Sequence, residues 1–252
     1  MSTPHRFANK VIVVTGASTG LGFGAAQAFI QEGARVIITG QNEARLAAAA
    51  KQLGPNAIPV LADVRKVEDL ERIAQRTREV SPHVDVVFAN AGVGKFRPLE
   101  QTDEAFYDDQ FDTNVKGLFF TVQKLVGLLK PGSSVILNSS AVHGKGLMTG
   151  SIYCATKAAV RSLARTLAAE LSPRGIRVNS LSPGMVPTEF QAKMQLTDEG
   201  LENLYTSIKN SAPLRRLGGV DEIVKAVLFM ASDEASYMTA ADIVVDGGWM
   251  NV

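Results

Sequence analysis

Short apolar runs alternate along this chain with longer stretches in which apolar residues recur every three or four positions. The runs at 11–15, 35–39, 57–61, 84–89, 134–138, 177–181 and 243–245 predict seven strands. They are apolar throughout rather than alternately, as expected for parallel strands covered by helices on both faces. Helical spacing predicts helices over 22–32, 43–53, 67–79, 103–129, 152–171 and 221–231. Strands joined by right-handed helical crossovers make a doubly wound α/β sheet. No repeat, low-complexity stretch or linker divides residues 1–252, so one domain is expected. The irregular part is an insertion at about 184–216, framed by Pro183, Gly184, Pro187 and Pro213, with a helical piece near 197–209. An insertion of this kind after a strand end usually covers a ligand.

Composition narrows the class. Of 252 residues, 46% are hydrophobic, enough for a substantial core, and the formal net charge of +1 points neither to nucleic acid nor to an anionic membrane. No apolar run approaches the ~20 residues of a membrane helix. The polar N-terminus does not read as a signal peptide. Cys154 is the only cysteine, which excludes an intrachain disulfide, and it reads as a small packing residue. A soluble, cytoplasmic protein is expected. His5, His83 and His143 are scattered, and no metal site is expected.

Two local patterns carry chemistry. The first strand runs into Thr15-Gly16-Ala17-Ser18-Thr19-Gly20-Leu21-Gly22 and then a helix. Glycines permit a tight turn and close backbone approach, and a helix N-terminus offers free N–H groups to a pyrophosphate. The spacing is Gly-x-x-x-Gly-x-Gly, which differs from the common Gly-x-Gly-x-x-Gly fingerprint. The second pattern is Tyr153-x-x-x-Lys157, which places a phenol and an ammonium one turn apart on one helix face. A nearby fixed cation favours the phenolate, so Tyr153 is expected to titrate below the ~10 of a free phenol. Taken alone, the pair is equally an ordinary feature of an amphipathic helix.

Thr15-Gly16-x-x-x-Gly20-x-Gly22, Asn90-Ala91-Gly92, Asn114, Ser140, Tyr153-x-x-x-Lys157 and Pro183-Gly184 together resemble the motif series of the short-chain dehydrogenases/reductases, in order and across nearly the whole chain. The resemblance extends to Ser140 standing thirteen residues before Tyr153, which selects it over Ser139. It implies a Rossmann fold and an oxidoreductase interconverting a ketone and a secondary alcohol, as a carbonyl reductase or alcohol dehydrogenase. Tyr153 would be the general acid/base, with Lys157 lowering its pKa and binding the nicotinamide ribose. Ser140 would hold the substrate oxygen, a stabilisation worth ~3 kcal/mol. Asn114 would help hold a water linking Lys157 to solvent, or serve as a satisfied core amide. The cofactor would touch Gly16, Ser18, Thr19, Gly20, Leu21 and Gly22 at its phosphates. Gln41, Asn42, Asp63 and Val64 would meet its adenosine end, with Asn90, Ala91 and Gly92 beneath. Pro183, Gly184, Val186 and Thr188 would meet its nicotinamide. Asp63 reads equally as a cap of the helix near Val67. The family often has Asn-Asn-Ala-Gly where this chain has Ala89 first.

The cofactor form turns on the residues after the second strand, where an acid would bind the ribose diol and an Arg the 2′-phosphate. This chain has Gly40, Gln41 and Asn42, with Thr19 in the phosphate turn. The missing acid favours NADP(H) over NAD(H). For the substrate pocket, Phe96, Val142, His143, Leu147, Met148, Met185, Phe190, Met194, Leu204 and Tyr205 suggest an uncharged ketone or alcohol of moderate size. His143 reads equally as a solvated loop residue. Apolar residues on several faces of 103–129 and 152–171 (Leu118, Phe119, Phe120, Val122, Leu125, Val160, Leu163 and Leu167) suggest subunit packing, and the resemblance implies a homotetramer. A 3-oxoacyl-[acyl-carrier-protein] reductase is the alternative, with Arg161 and Arg165 as a docking pair. A non-catalytic dinucleotide-binding regulator is the distant one.

Overall fold

The computed structural model describes residues 5–194 and 196–252. Seven strands, β1 (Val11–Val14), β2 (Arg35–Gly40), β3 (Ala57–Leu61), β4 (Val84–Ala89), β5 (Leu129–Asn138), β6 (Arg177–Pro183) and β7 (Asp242–Val245), form one sheet in the order β3-β2-β1-β4-β5-β6-β7. Every pairing is parallel. The winding direction reverses between β1 and β4. At such a point the crossovers leave on opposite faces, and a crevice opens beyond the strands' C-terminal ends.

Strand pleating sends alternate side chains into two cores, which is why continuous apolar runs are needed. Val11, Val13, Ile37, Val87 and Leu137 enter the layer shared with α3 (Val67–Val80), α5 (Gly117–Leu125) and α6 (Ser151–Leu171). Ile12, Val14, Val36, Ile38 and Phe88 face α1 (Gly20–Gln31), α2 (Glu43–Leu53) and α8 (Val220–Ala231). Full burial of each such side chain contributes about 1.5–3 kcal/mol before conformational entropy is set against it.

The expected helix over 103–129 is divided. It consists of α4 (Glu104–Phe111), a π-helical turn Asp112–Lys116, α5, and a 3-10 turn Val126–Leu128. The π turn holds Asn114, whose buried amide reaches across to other elements, and such bulges often occur where a side chain must leave the regular helical register. The insertion carries α7 (Asp198–Ser211), with the Thr197 hydroxyl accepting the Gly200 N–H at 3.1 Å as its cap.

Much of the apolar surplus expected for subunit packing is satisfied within the chain. Leu118, Val122, Leu125, Val160 and Leu167 are buried in its own core. The helices carrying them pack against neighbouring helices as well as the sheet. Phe119, Phe120 and Leu163 remain only partly buried. Among the described residues, no helix is long and apolar enough to cross a membrane.

Candidate active site

The C-terminal ends of β1 to β6 edge a cleft of about 520 Å³, closed on its far side by α7 and the segment before it. At one end lies the glycine turn. Gly16 has φ +65°, and a Cβ there would sit 2.8 Å from Ala91 Cα. A Cβ on Gly22 would lie 2.3 Å from the Gly16 carbonyl oxygen, so Gly22 shapes the turn from behind and does not line the cleft. Gly16, Ser18, Thr19, Gly20 and Leu21 do line it. Thr19 precedes α1 without a side-chain cap, and the first turn of α1 carries no acidic residue. The helix therefore presents its positive end to the cleft, suited to an anion.

The turn is fixed to the strands by polar contacts. The Thr15 hydroxyl accepts the N–H groups of Asn90 and Ala91, each at 3.0 Å. The Asn90 amide donates to the carbonyls of Thr15 (3.0 Å) and Gly16 (3.2 Å) and accepts from Asn138 at 2.9 Å. Asn90, Ala91 and Gly92 line the cleft, but the Asn90 side chain is committed to the turn. Gln41, Asp63 and Val64 lie along the same wall. Asn42 does not, because its side chain accepts the Arg45 N–H at 2.9 Å and caps α2. Asp63, by contrast, caps no helix. Arg65 donates to both its oxygens, one guanidinium nitrogen at 2.6 Å, and holds its carboxyl below the usual carboxylate range. Arg65 reaches Asp109 at 3.0 Å as well.

At the other end, Ser140, Tyr153 and Lys157 share the cleft with Pro183, Gly184, Val186 and Thr188. Ser140 caps the short turn Ala141–Gly144, its hydroxyl donating to the Pro183 carbonyl at 3.5 Å, and it lines the cleft beside the Tyr153 phenol. Ser139 faces the core, its hydroxyl donating to the Lys157 carbonyl at 2.9 Å. Phe96 and Phe190 flank the Tyr153 ring, with centroids 5.6 and 6.3 Å away. Lys157 is 4% exposed, and its ammonium donates to the Asn138 carbonyl at 2.8 Å. Asn114 stands behind the wall. Its Oδ1 accepts the Val93 N–H at 2.8 Å, and its amide donates to the Val93 carbonyl (2.8 Å) and the Thr156 hydroxyl (3.0 Å). It thereby clamps the loop after β4 to α6.

The expected lowering of the Tyr153 pKa is not what this geometry gives. Burial pushes the phenol up to about 12, with the neighbouring Ser140 hydroxyl opposing. Burial likewise pulls the Lys157 ammonium down to about 8. The lysine nitrogen lies 5.8 Å from the Tyr153 ring centroid and spends a hydrogen bond on Asn138. Desolvation of two buried groups outweighs an attraction across that gap. At neutral pH the site therefore holds a protonated phenol beside a cationic lysine.

Of the residues expected around a substrate, Phe96, Val142, Leu147, Met148, Met185, Phe190, Met194 and Leu204 line the cleft, Met148 largely exposed at the rim. Two expected members stand elsewhere. His143 turns away to Asp242 on β7, with Nε2 2.8 Å from Oδ2, because the turn it occupies packs its other face on the sheet edge. Tyr205 lies on α7 outside the cleft wall, while Leu204 and Ile208, one turn apart, point in. Several residues went unread in the sequence. Asn138 holds the Lys157 ammonium and Thr156 the Asn114 amide. Gln191 pins the loop after β6, accepting the Thr188 N–H at 2.7 Å and donating to the Val186 carbonyl at 2.9 Å. Trp249, near the C-terminus, joins the substrate wall. The only local signal was the Asn138 position, at the C-terminal end of a central strand.

Comparisons with known proteins agree with this architecture. A family model described as Enoyl-(Acyl carrier protein) reductase matches residues 16–250. The chain is 40% identical over 250 residues to Oxidoreductase asL5 of Sarocladium schorii, covering 98% of each. It is 35% identical to a galactitol 2-dehydrogenase (L-tagatose-forming) of Cereibacter sphaeroides, covering 98% of this chain and 97% of that one. Its fold superposes on a crystal structure from Brucella melitensis described as a short-chain dehydrogenase/reductase, glucose/ribitol dehydrogenase, with a TM-score of 0.91 at 30% identity, covering 97% and 98% of the two chains.

Proposed function

This chain belongs to the short-chain dehydrogenase/reductase family, and we propose that it interconverts an uncharged ketone and a secondary alcohol, with Tyr153 as general acid/base. That it is an oxidoreductase acting on CH–OH or carbonyl groups with a nicotinamide cofactor follows from its relatives. The observation that carries the finer reading is that Ser140, Tyr153 and Lys157 line one end of a single, largely apolar cleft, with the Lys157 ammonium held by the Asn138 carbonyl.

The residues fit a dinucleotide. Side chains at Gly16 and Gly22 would fill the turn, and α1 aims an unopposed positive end into it. Gly16, Ser18, Thr19, Gly20 and Leu21 would hold the pyrophosphate. Gln41, Asp63 and Val64 would hold the adenosine, and Lys157, Val186 and Thr188 the nicotinamide half. When bound, the cofactor supplies or accepts the hydride. The chain's own residues do the rest. Ser140 Oγ donates to the substrate oxygen as charge develops there. Tyr153 Oη transfers its proton to that oxygen in reduction and receives one in oxidation. Burial keeps the phenol protonated at neutral pH, so the proton that reduction requires is in place. Lys157, cationic below about 8, stabilises the phenolate left behind.

NADP(H) is favoured over NAD(H) on local charge. Gly40 and Gln41 put no carboxylate at the end of β2, and the nearby Asp63 is neutralised by Arg65. A kcat/KM for NADH tenfold above that for NADPH would reverse this preference. Of the docking pair for the acyl-carrier-protein alternative, the partly buried Arg161 turns inward toward Asp242 at 3.9 Å, while Arg165 stays exposed on α6, so that alternative stands on Arg165 alone. Assembly as a homotetramer is supported by the partly buried Phe119, Phe120 and Leu163, and sedimentation at micromolar concentration tests it. Free Cys154 is consistent with a reducing cytoplasm. The decisive experiment on the chemistry is Tyr153→Phe assayed on a panel of ketones and alcohols with each cofactor. It should lower kcat at least ~100-fold with cofactor Kd nearly unchanged. Retained turnover would remove Tyr153 from the reaction.

A further inference from the structure

Beyond β7 the chain forms a built hook. Gly247 and Gly248 adopt φ of +68° and +89°, and the Asp246 carboxylate accepts the N–H groups of Gly248 and Met250, each at 2.7 Å. The hook is gripped from two sides. The Gly247 carbonyl accepts the Leu214 N–H at 3.1 Å, and a Cβ on Gly248 would lie 2.8 Å from Pro213, so the end of α7 rests on it. On the other side, Lys145, next to the Ser140 turn, donates to the Trp249 carbonyl at 2.8 Å, with its ammonium 4.8 Å from the indole centroid. A Cβ on Gly144 would lie 3.0 Å from the Met250 sulfur. These contacts fix Trp249, 8% exposed, in the cleft wall and in one apolar cluster with Val142, Tyr153 and Ile208.

We infer that the Trp249 indole is the surface against which the larger substituent of the substrate packs, so that the site takes ketones and secondary alcohols bearing an apolar or aromatic group and rejects polyols. The inference rests on the redox reading above and deepens it. A polyol here would leave most of its hydroxyls without partners: Lys145 is spent on the hook, Gln191 on the loop after β6 and the Thr149 hydroxyl on the Met148 carbonyl, which leaves Ser207 as the polar side chain of this end beside Ser140 and Tyr153. Unpaired polar groups are the strongest source of discrimination a site can use, whereas bulk in an apolar pocket is read more weakly. A rigid aromatic wall held by backbone contacts sets size without costing side-chain entropy on binding.

Trp249 is the chain's single tryptophan, so its emission reports this wall directly. Two measurements test the inference. In the first, kcat/KM for 2-butanone, acetophenone and 2-acetylnaphthalene is compared in the wild type, Trp249→Phe and Trp249→Ala. Trp249→Ala should shift the ratio of largest to smallest ketone at least ~10-fold toward the largest, and Trp249→Phe should hold the order. In the second, Tyr153→Phe protein with oxidised NADP is titrated with cyclohexanol or galactitol. Cyclohexanol should change the tryptophan emission, and galactitol should leave it unchanged. An unaltered ketone order in Trp249→Ala, or equal emission responses to both alcohols, overturns the inference. If Trp249→Ala does not fold, the emission measurement and Trp249→Phe still decide. Wild-type protein that reduces no ketone, while its emission responds to cyclohexanol, would fail the redox reading and leave the wall in place.

Discussion

Replacing Lys157 by Met should abolish most activity and at the same time make the protein more stable. Lys157 is almost wholly buried, and burial pulls its ammonium down to about 8 from the 10.5 of a free lysine. Each pKa unit is worth ~1.4 kcal/mol, so holding the charge at pH 7 costs the fold about 3 kcal/mol. Methionine matches the side chain in length and removes that cost. It also removes the hydrogen bond to the Asn138 carbonyl, a loss of about 1–1.5 kcal/mol. The net gain is about 2 kcal/mol, or roughly 4–8 °C in Tm for a chain of this size. The pH dependence supplies the sharper test. Between about 8 and 10.5 the unfolded chain holds the lysine proton and the folded one does not, so wild-type stability rises with pH through that window while the variant's does not. Urea unfolding of both proteins at pH 7 and pH 10 should therefore show the variant's advantage of about 2 kcal/mol gone or slightly reversed at pH 10. Taking the difference between the two proteins cancels the other groups that titrate there, Tyr153 included. A stability gap that is the same at both pH values would refute the reasoning, and so would a variant less stable than wild type at pH 7.

The same lysine governs activity with pH. For ketone reduction, kcat/KM should hold steady to about 8 and fall above it as Lys157 loses its proton, with no matching limb from Tyr153 until near 12. A profile flat to pH 10 would contradict this. Gly16→Ala should destabilise by ~2–3 kcal/mol, because φ +65° is costly with a Cβ and Ala91 Cα stands 2.8 Å away. It should also weaken cofactor binding more than ~10-fold in calorimetry. Asn42→Ala should cost ~1 kcal/mol in urea unfolding through loss of the α2 cap, with cofactor KM changing less than ~3-fold. A large KM effect would return Asn42 to the cofactor site.

The sequence by itself determined the sheet and most of the motifs on it. Continuous apolar runs such as Val11–Val14 and Val84–Ala89 leave a strand no solvated face, and a parallel sheet covered on both sides answers that demand. The glycine turn was legible for a related reason: Gly16 must occupy a backbone region and a space that other residues tolerate poorly. Tyr153 and Lys157 were readable because their partnership is set by a single helical turn. The tertiary structure decided what depends on the protons and on distant neighbours. Burial drives the Tyr153 and Lys157 pKa values in a direction their proximity alone would not give. Asn42 and Asp63 look alike as polar residues after strands, yet one caps α2 and the other is taken by Arg65. His143 sits three positions after Ser140 but faces Asp242, ninety-nine residues away. Trp249 reaches the cleft only because the hook after β7 folds between α7 and the Ser140 turn. Local sequence specifies what one turn or one strand must satisfy. Which polar atom finds which partner, and which ring faces the substrate, is settled by residues far apart in the chain competing for the same buried space.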